Sequence, residues 1–220
     1  MTDTPAASPS PPRRTGRLPI LAVIVVAVAA GLGLWAGQRW FGGLAAQPAL
    51  ATTVLYGAPR PLPPFTLQGS DGQPLTAAQL QGRWTLVFLG FLHCPDICPT
   101  TLATLGQAQK QLADIPADRQ PRVLFVSVDY ERDEPAQIGA YARHFSPDAL
   151  AGTGSKAQLD AFANGLGMLY MKTPLADGDY TIDHSATIAV LDPQARIAGL
   201  IRPPLDAAKI AADLRTLVSR

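Results

Sequence analysis

From Leu18 to Gly37 the chain carries no charged residue: LPILAVIVVAVAAGLGLWAG. As a helix of about 20 residues at ~1.5 Å rise, this stretch reaches roughly 30 Å, the depth of a bilayer core. It is apolar on every face, which ill suits a helix laid against a soluble core. Pro19 fits in the first helical turn, where no N–H partner is needed. Arg13, Arg14 and Arg17 precede the run and are expected to keep the N-terminus in the cytoplasm. Trp35 and Trp40 fall where an aromatic belt would lie, at the far interface. A cleaved signal peptide is the rival reading, with Ala27-Val28-Ala29 as its site, but such apolar regions usually span only about 7–15 residues. The chain is read as a short cytoplasmic tail (1–17), a transmembrane anchor (18–38), a Pro/Gly-rich tether (39–59) and one folded domain (60–220). The expected location is a bacterial cytoplasmic (inner) membrane, crossed once, with the domain in the periplasm.

The rest of the chain reads as a globular α/β domain. Hydrophobic residues make up 47% and charged residues 16%, which excludes a disordered chain. The net charge of +1 gives no reason to expect a nucleic-acid partner. WTLVFLGF at 84–91 and VLFVSVD at 123–129 are continuous apolar runs, as expected of strands buried on both faces. PFTLQ at 64–68 reads as a short strand into the turn at 69–72. Helical spacing covers about 99–112, 135–144, 155–166 and 206–218, and 186–191 with 196–201 reads as a hairpin. Strands alternating with helices, then a hairpin and a last helix, predict an α/β sandwich with a central sheet flanked by helices.

The only two cysteines, Cys94 and Cys98, follow the first buried run. A thiol pair between a strand and its helix is where a thioredoxin-like domain puts its redox site. In an open α/β sheet the binding crevice lies at the carboxyl ends of the strands. Pro99 fits only the first helical turn, so Cys98 is expected at the helix start, where the helix dipole favours thiolate. Two soft sulfurs leave Cu(I), zinc or an iron–sulfur site open, but cannot hold a four-thiolate cluster alone. Of the three histidines, His93 is expected to point away from Cys94 and His144 ends a helix as a C-terminal cation. His184 precedes a buried strand, in a loop placed to lean over the cysteine turn, and is the expected third ligand. Two thiolates and one imidazole suit three-coordinate Cu(I), and hold Cu(II) with an added weak ligand.

CPDICP at 94–99, SVDYERDEP at 127–135 and Asp183-His184-Ser185, in that order, together resemble the Sco/SenC family of membrane-anchored copper proteins. The resemblance covers roughly 60–220 and includes the preceding anchor. It implies a thioredoxin-like fold and one copper held by Cys94, Cys98 and His184. It also implies a metallochaperone that helps to assemble the CuA centre in subunit II of cytochrome c oxidase, or serves another copper-accepting protein, and that takes its copper from an upstream donor. Tyr130 stands where many members have proline, at no proposed ligand.

A second function stays open: a thiol-disulfide oxidoreductase, with Cys94 and Cys98 as its redox pair, that reduces the acceptor's cysteines before metallation. A peroxiredoxin-like peroxidase is disfavoured, because Gly90-Phe-Leu-His-Cys stands where a Thr-x-x-Cys pocket is needed. Supporting residues have plain readings beside functional ones. Asp96 either tunes the thiols or caps the helix. Asp183 either orients His184 or is a solvated loop acid. Asp129, Arg132 and Asp133 read as a local salt-bridge and turn cluster. Met168 and Met171 read as packing residues.

Overall fold

The structure, a computed structural model, describes residues 20–41, 50–176 and 178–219. The chain divides into two compact units, Met1–Ala46 and Gln47–Arg220. In the first, helix α1 (Ile20–Phe41) is long and apolar enough to cross a membrane. The arginines at 13, 14 and 17, residues 42–49 of the expected tether and the side chain of Trp40 lie outside the described residues.

The second unit is built on an eight-stranded sheet whose strands lie in the order β1 (Thr53–Arg60), β10 (Ile197–Ile201), β9 (Ile188–Leu191), β4 (Thr85–Gly90), β5 (Arg122–Ser127), β6 (Leu150–Thr153), β2 (Leu67–Gly69), β3 (Pro74–Leu75). β1 is Thr53–Arg60, a segment expected within the tether. It pairs antiparallel with β10 along the sheet edge, where Pro59 does not interrupt an inner ladder. Its start is pinned by the buried carboxylate of Asp213, which accepts the N–H groups of Ala51, Thr52 and Thr53 at 2.7–2.8 Å. β2 (Leu67–Gly69) and β3 (Pro74–Leu75) close the opposite edge as a small hairpin, followed by the short helix α2 (Ala77–Leu80). Three neighbouring inner strands, β4 (Thr85–Gly90), β5 (Arg122–Ser127) and β6 (Leu150–Thr153), run parallel. Every residue of β4 is buried, as its unbroken apolar sequence requires.

Helix α3 (Ile97–Lys110) follows β4 and packs against α4 (Pro135–Phe145) and the closing helix α6 (Ala207–Val218). α5 (Lys156–Leu166) starts at a Ser155 capping box with Gln158 and stops at Gly167, whose φ of 72° suits glycine. β9 (Ile188–Leu191) and β10 (Ile197–Ile201) form the expected hairpin. β7 (Tyr170–Pro174) and β8 (Tyr180–His184) form a two-stranded sheet of their own, which the sequence pattern did not suggest. Helices around a central sheet whose β4, β5 and β6 run parallel make the thioredoxin-like arrangement expected of the chain.

Candidate metal centre

Strand direction brings the site together. β4 and β5 are parallel, so the segments after Gly90 and after Ser127 leave the sheet at one edge. Val128 N–H donates to the Gly90 carbonyl at 2.9 Å across them. β9 runs antiparallel to β4 with Ala189 opposite Val87, so the residues before β9 arrive at that same edge. One of them is His184, the last residue of β8. It was expected in a loop, and a strand end holds it instead.

Cys94 lies in the turn after β4 and is half-buried; Cys98 is the second residue of α3 and is fully buried. Pro99 is the third helical residue, still among the first four N–H positions that have no partner within the helix. The N–H of Cys98 donates to Cys94 Sγ at 3.4 Å, so the first sulfur takes up an amide at the helix start. Cys98 Sγ lies 3.4 Å from His184 Nε2. One ligand atom from each of Cys94, Cys98 and His184 lies within 4.8 Å of the other two. The other imidazole nitrogen, Nδ1, sits 3.3 Å from the Ser185 carbonyl. A proton on Nδ1 donated there leaves the Nε2 lone pair facing the sulfur. Phe88 and Phe91 stand edge-on to the imidazole, with ring centroids 5.6 and 6.0 Å away. Gly90 makes room for the second sulfur: a Cβ there would lie 2.7 Å from Cys98 Sγ and 2.8 Å from the Phe125 ring.

The electrostatics differ from the expectation of a helix-activated thiolate. Burial pushes the Cys98 thiol well above its ordinary range, and the neighbouring Cys94 and the carboxylate of Asp133 push it further. Desolvation here outweighs the one lowering influence on the thiol, a backbone hydrogen bond at Phe91. Burial also lowers the pKa of His184, against the raising effects of its bond to Ser185 and of the Asp183 charge. Near neutral pH the centre therefore presents a neutral imidazole and a protonated Cys98 thiol. A thiophilic ion entering it has to expel that proton.

The other predicted residues separate. Asp96 is exposed; it occupies the N-cap position of α3 without a side-chain cap bond, and its Oδ1 accepts from Thr100 Oγ1 at 3.2 Å. Asp183 accepts from Thr173 Oγ1 at 2.6 Å across the hairpin, so the hydrogen-bond partner of the His184 ring is the Ser185 carbonyl. His93 is exposed, with Nδ1 3.6 Å from Asp133 Oδ1. His144 lies in the last turn of α4. Met168 is a core residue, whereas Met171, expected to pack, is 65% exposed on β7. No role at the centre was expected of Gly90, Phe88 or Ser185. Gly90 did carry a signal, since a glycine inside an otherwise bulky strand marks a close approach.

The SCO1/SenC family model matches residues 56–219. Over 132 residues the chain is 38% identical to the Protein SCO1 homolog 1, mitochondrial, of Arabidopsis thaliana, a match covering 60% of this chain and 39% of that protein. The chain spans about half the length, or less, of the mitochondrial relatives it matches. Among solved structures it resembles ScoI of Bradyrhizobium japonicum with copper bound: TM-score 0.64, 32% identity, 71% of this chain and 99% of that one. Apo Sco1 of Thermus thermophilus gives a TM-score of 0.67 at 34% identity, covering 77% and 99%. With the family model spanning nearly the whole second unit and the three-residue centre at its sheet edge, the chain belongs to the SCO1/SenC family.

Proposed function

We propose that this protein is a membrane-anchored copper metallochaperone that holds one copper ion through Cys94, Cys98 and His184. The observation that carries the reading is the meeting of two sulfurs and one imidazole within 4.8 Å of one another, beyond the end of β4. That donor set is soft, suits Cu(I), and accommodates Cu(II) with an added weak ligand. The copper-bound Bradyrhizobium relative supports the same choice of ion. Helix α1 serves as the anchor, with residues 1–17 in the cytoplasm and the domain in the periplasm of a bacterial inner membrane. The acceptor is the CuA centre in subunit II of cytochrome c oxidase, and an upstream donor loads the site. Copper is here cargo: the chain binds it, excludes competing ligands with Phe88 and Phe91, and gives it up to a partner.

The thiol-disulfide reading keeps one supporting observation, the free pair Cys94 and Cys98 in direct N–H to sulfur contact. Oxidation to a disulfide would remove both thiolates and release the ion, so one pair can serve both uses. The deciding experiment is anaerobic copper titration of the detergent-solubilised full chain, with stoichiometry and ligand type read by absorption and EPR. One copper per chain with sulfur and nitrogen ligation is expected. A chain that takes up no copper yet reduces a disulfide substrate would replace the metallochaperone with the reductase.

A further inference from the structure

Residues 127–134 join β5 to α4 and hold both halves of the metal centre. At one end stands Asp133, whose side chain is fully buried. Its Oδ2 accepts the N–H of Leu92 at 2.8 Å and the hydroxyl of Ser127 at 2.6 Å. Leu92 lies two residues before Cys94, so this carboxylate ties the sulfur turn to the end of β5. Earlier in the segment, the buried Asp129 accepts the Tyr180 hydroxyl at 2.8 Å and Arg132 Nε at 2.7 Å. Arg132 Nη1 donates to the Tyr180 carbonyl at 3.2 Å and to Asp179 at 3.1 Å, and its guanidinium lies 3.7 Å over the Tyr180 ring. Tyr180 begins β8, the strand that ends at His184.

His93, Asp129 and Asp133 also come within 4.8 Å of one another, and Asp133 Oδ1 has no hydrogen-bond partner. A second cation site is the competing reading. Arg132 already supplies a positive charge to Asp129, and a metal ion placed there would be repelled by it. The bonds already formed point to a mechanical role.

We infer that residues 127–134 are a two-ended brace that sets the imidazole against the sulfurs. Asp133 positions the cysteine turn, and Asp129 with Tyr180 positions the hairpin that carries His184. The hairpin has other ties, among them Ile182 in the core, the Tyr170 hydroxyl on Asp160 at 2.7 Å and Lys172 Nζ on Glu131 at 2.6 Å, so losing one bond of the brace should shift it without unfolding it. The consequence for copper rests on the proposed function, whereas the brace itself does not.

The test uses the detergent-solubilised full chain. Without metal, hydrogen exchange is followed by mass spectrometry in peptides covering 170–184 and 91–98. Tyr180→Phe is expected to speed exchange several-fold in the hairpin alone, and Asp133→Asn in the cysteine turn alone. Equal acceleration of both peptides by either variant, or of neither, would overturn the brace. With copper, Cu(I) affinity is measured by competition against a chromophoric chelator in a double-mutant cycle. Tyr180→Phe is expected to weaken binding about 10-fold, the usual size of an outer-shell loss, and to have no effect once His184 is alanine. Equal weakening in both backgrounds would mean that Tyr180 does not act through His184, and would sink the imidazole end. A wild-type chain that binds no copper would remove the proposed function and leave the exchange results to decide the brace.

Discussion

The turn that carries Cys94 and Cys98 leaves a strand with six buried residues and enters a helix that buries Cys98. The hairpin that carries His184 is a separate two-stranded sheet, with Leu169 and Met171 mostly in solvent. The sulfurs thus take their positions from the domain core, and the imidazole takes its position from a side element held by Ile182 in the core and by polar bonds. A centre built this way has a fixed thiol pair and a third ligand that local changes can adjust. Its two halves should respond differently to substitution.

The largest effect falls on the sulfur half. Cys94→Ala and Cys98→Ala should each abolish copper binding in the competition titration, and a variant that still holds one copper would break the three-ligand reading. The two positions differ in stability. Cys98→Ser buries a hydroxyl in place of a sulfur, at a cost of roughly 1–3 kcal/mol if it finds no partner, whereas Cys94→Ser leaves its hydroxyl near water. Urea midpoints should fall for the first variant only.

His184→Ala comes next. Outer-shell losses already reach about 100-fold in metal affinity, so removing the ligand should cost at least that. Disulfide formation between Cys94 and Cys98 should continue, because the sulfurs do not depend on the hairpin, and the unfolding midpoint should hardly move. Loss of the disulfide in His184→Ala would show that the two halves are one unit. Gly90→Ala probes the opposite half. Its Cβ would meet both Cys98 Sγ and Phe125 under 3 Å, and overpacking of that kind costs roughly 1–3 kcal/mol. Copper affinity should drop along with stability, a coupling that His184→Ala lacks.

The same division explains what could be read from the sequence. β4, β5 and the β9–β10 hairpin were legible because burial on both faces leaves an unbroken apolar run, and α4 to α6 because helical spacing survives amid polar residues. The cysteine pair was legible because its chain position alone puts it at a strand end. β7 and β8 were not legible: in YMKTP and YTIDH only Ile182 is fully buried, so neither forms a continuous apolar run. β1 was hidden by Gly57 and Pro59, which read as linker and are tolerated only on an edge. The protonation of Cys98 was misjudged because the helix start is visible in sequence and the depth of burial is not.

pH separates the halves without any mutation. Burial raises the thiol of Cys98, so the native chain keeps a proton that the unfolded chain releases near the ordinary thiol value of about 8.5. Stability attached to this group is intact below that pH and falls above it, by up to about 1.4 kcal/mol per unit. His184 acts at the acid end. Its lowered pKa means that the unfolded chain binds a proton first, near about pH 6.5, so this contribution holds above that value and is lost as pH falls. Urea unfolding of the metal-free protein across pH should show both slopes. Cys98→Ala should flatten the slope between about pH 8.5 and 10, before the tyrosines raised by burial begin to contribute, and His184→Ala the slope just below about pH 6.5, before the carboxylates do.

The smallest effect belongs to Asp183. Adjacent to His184, it reads in the sequence as the acid that would orient the imidazole. In the fold its carboxylate is exposed and bonded to Thr173, and the ring nitrogen faces the Ser185 carbonyl instead. Exposed substitutions of this kind usually stay within about 0.5 kcal/mol, which is roughly a factor of two in affinity. Asp183→Asn should therefore leave copper binding within about that factor and remove only a weak charge effect on the imidazole. A loss of 10-fold or more, the size expected of an orienting partner, would mean that the hairpin positions His184 through Asp183. The control of the imidazole would then lie inside the hairpin itself, and the contrast between a core-set and a brace-set half would have to be redrawn.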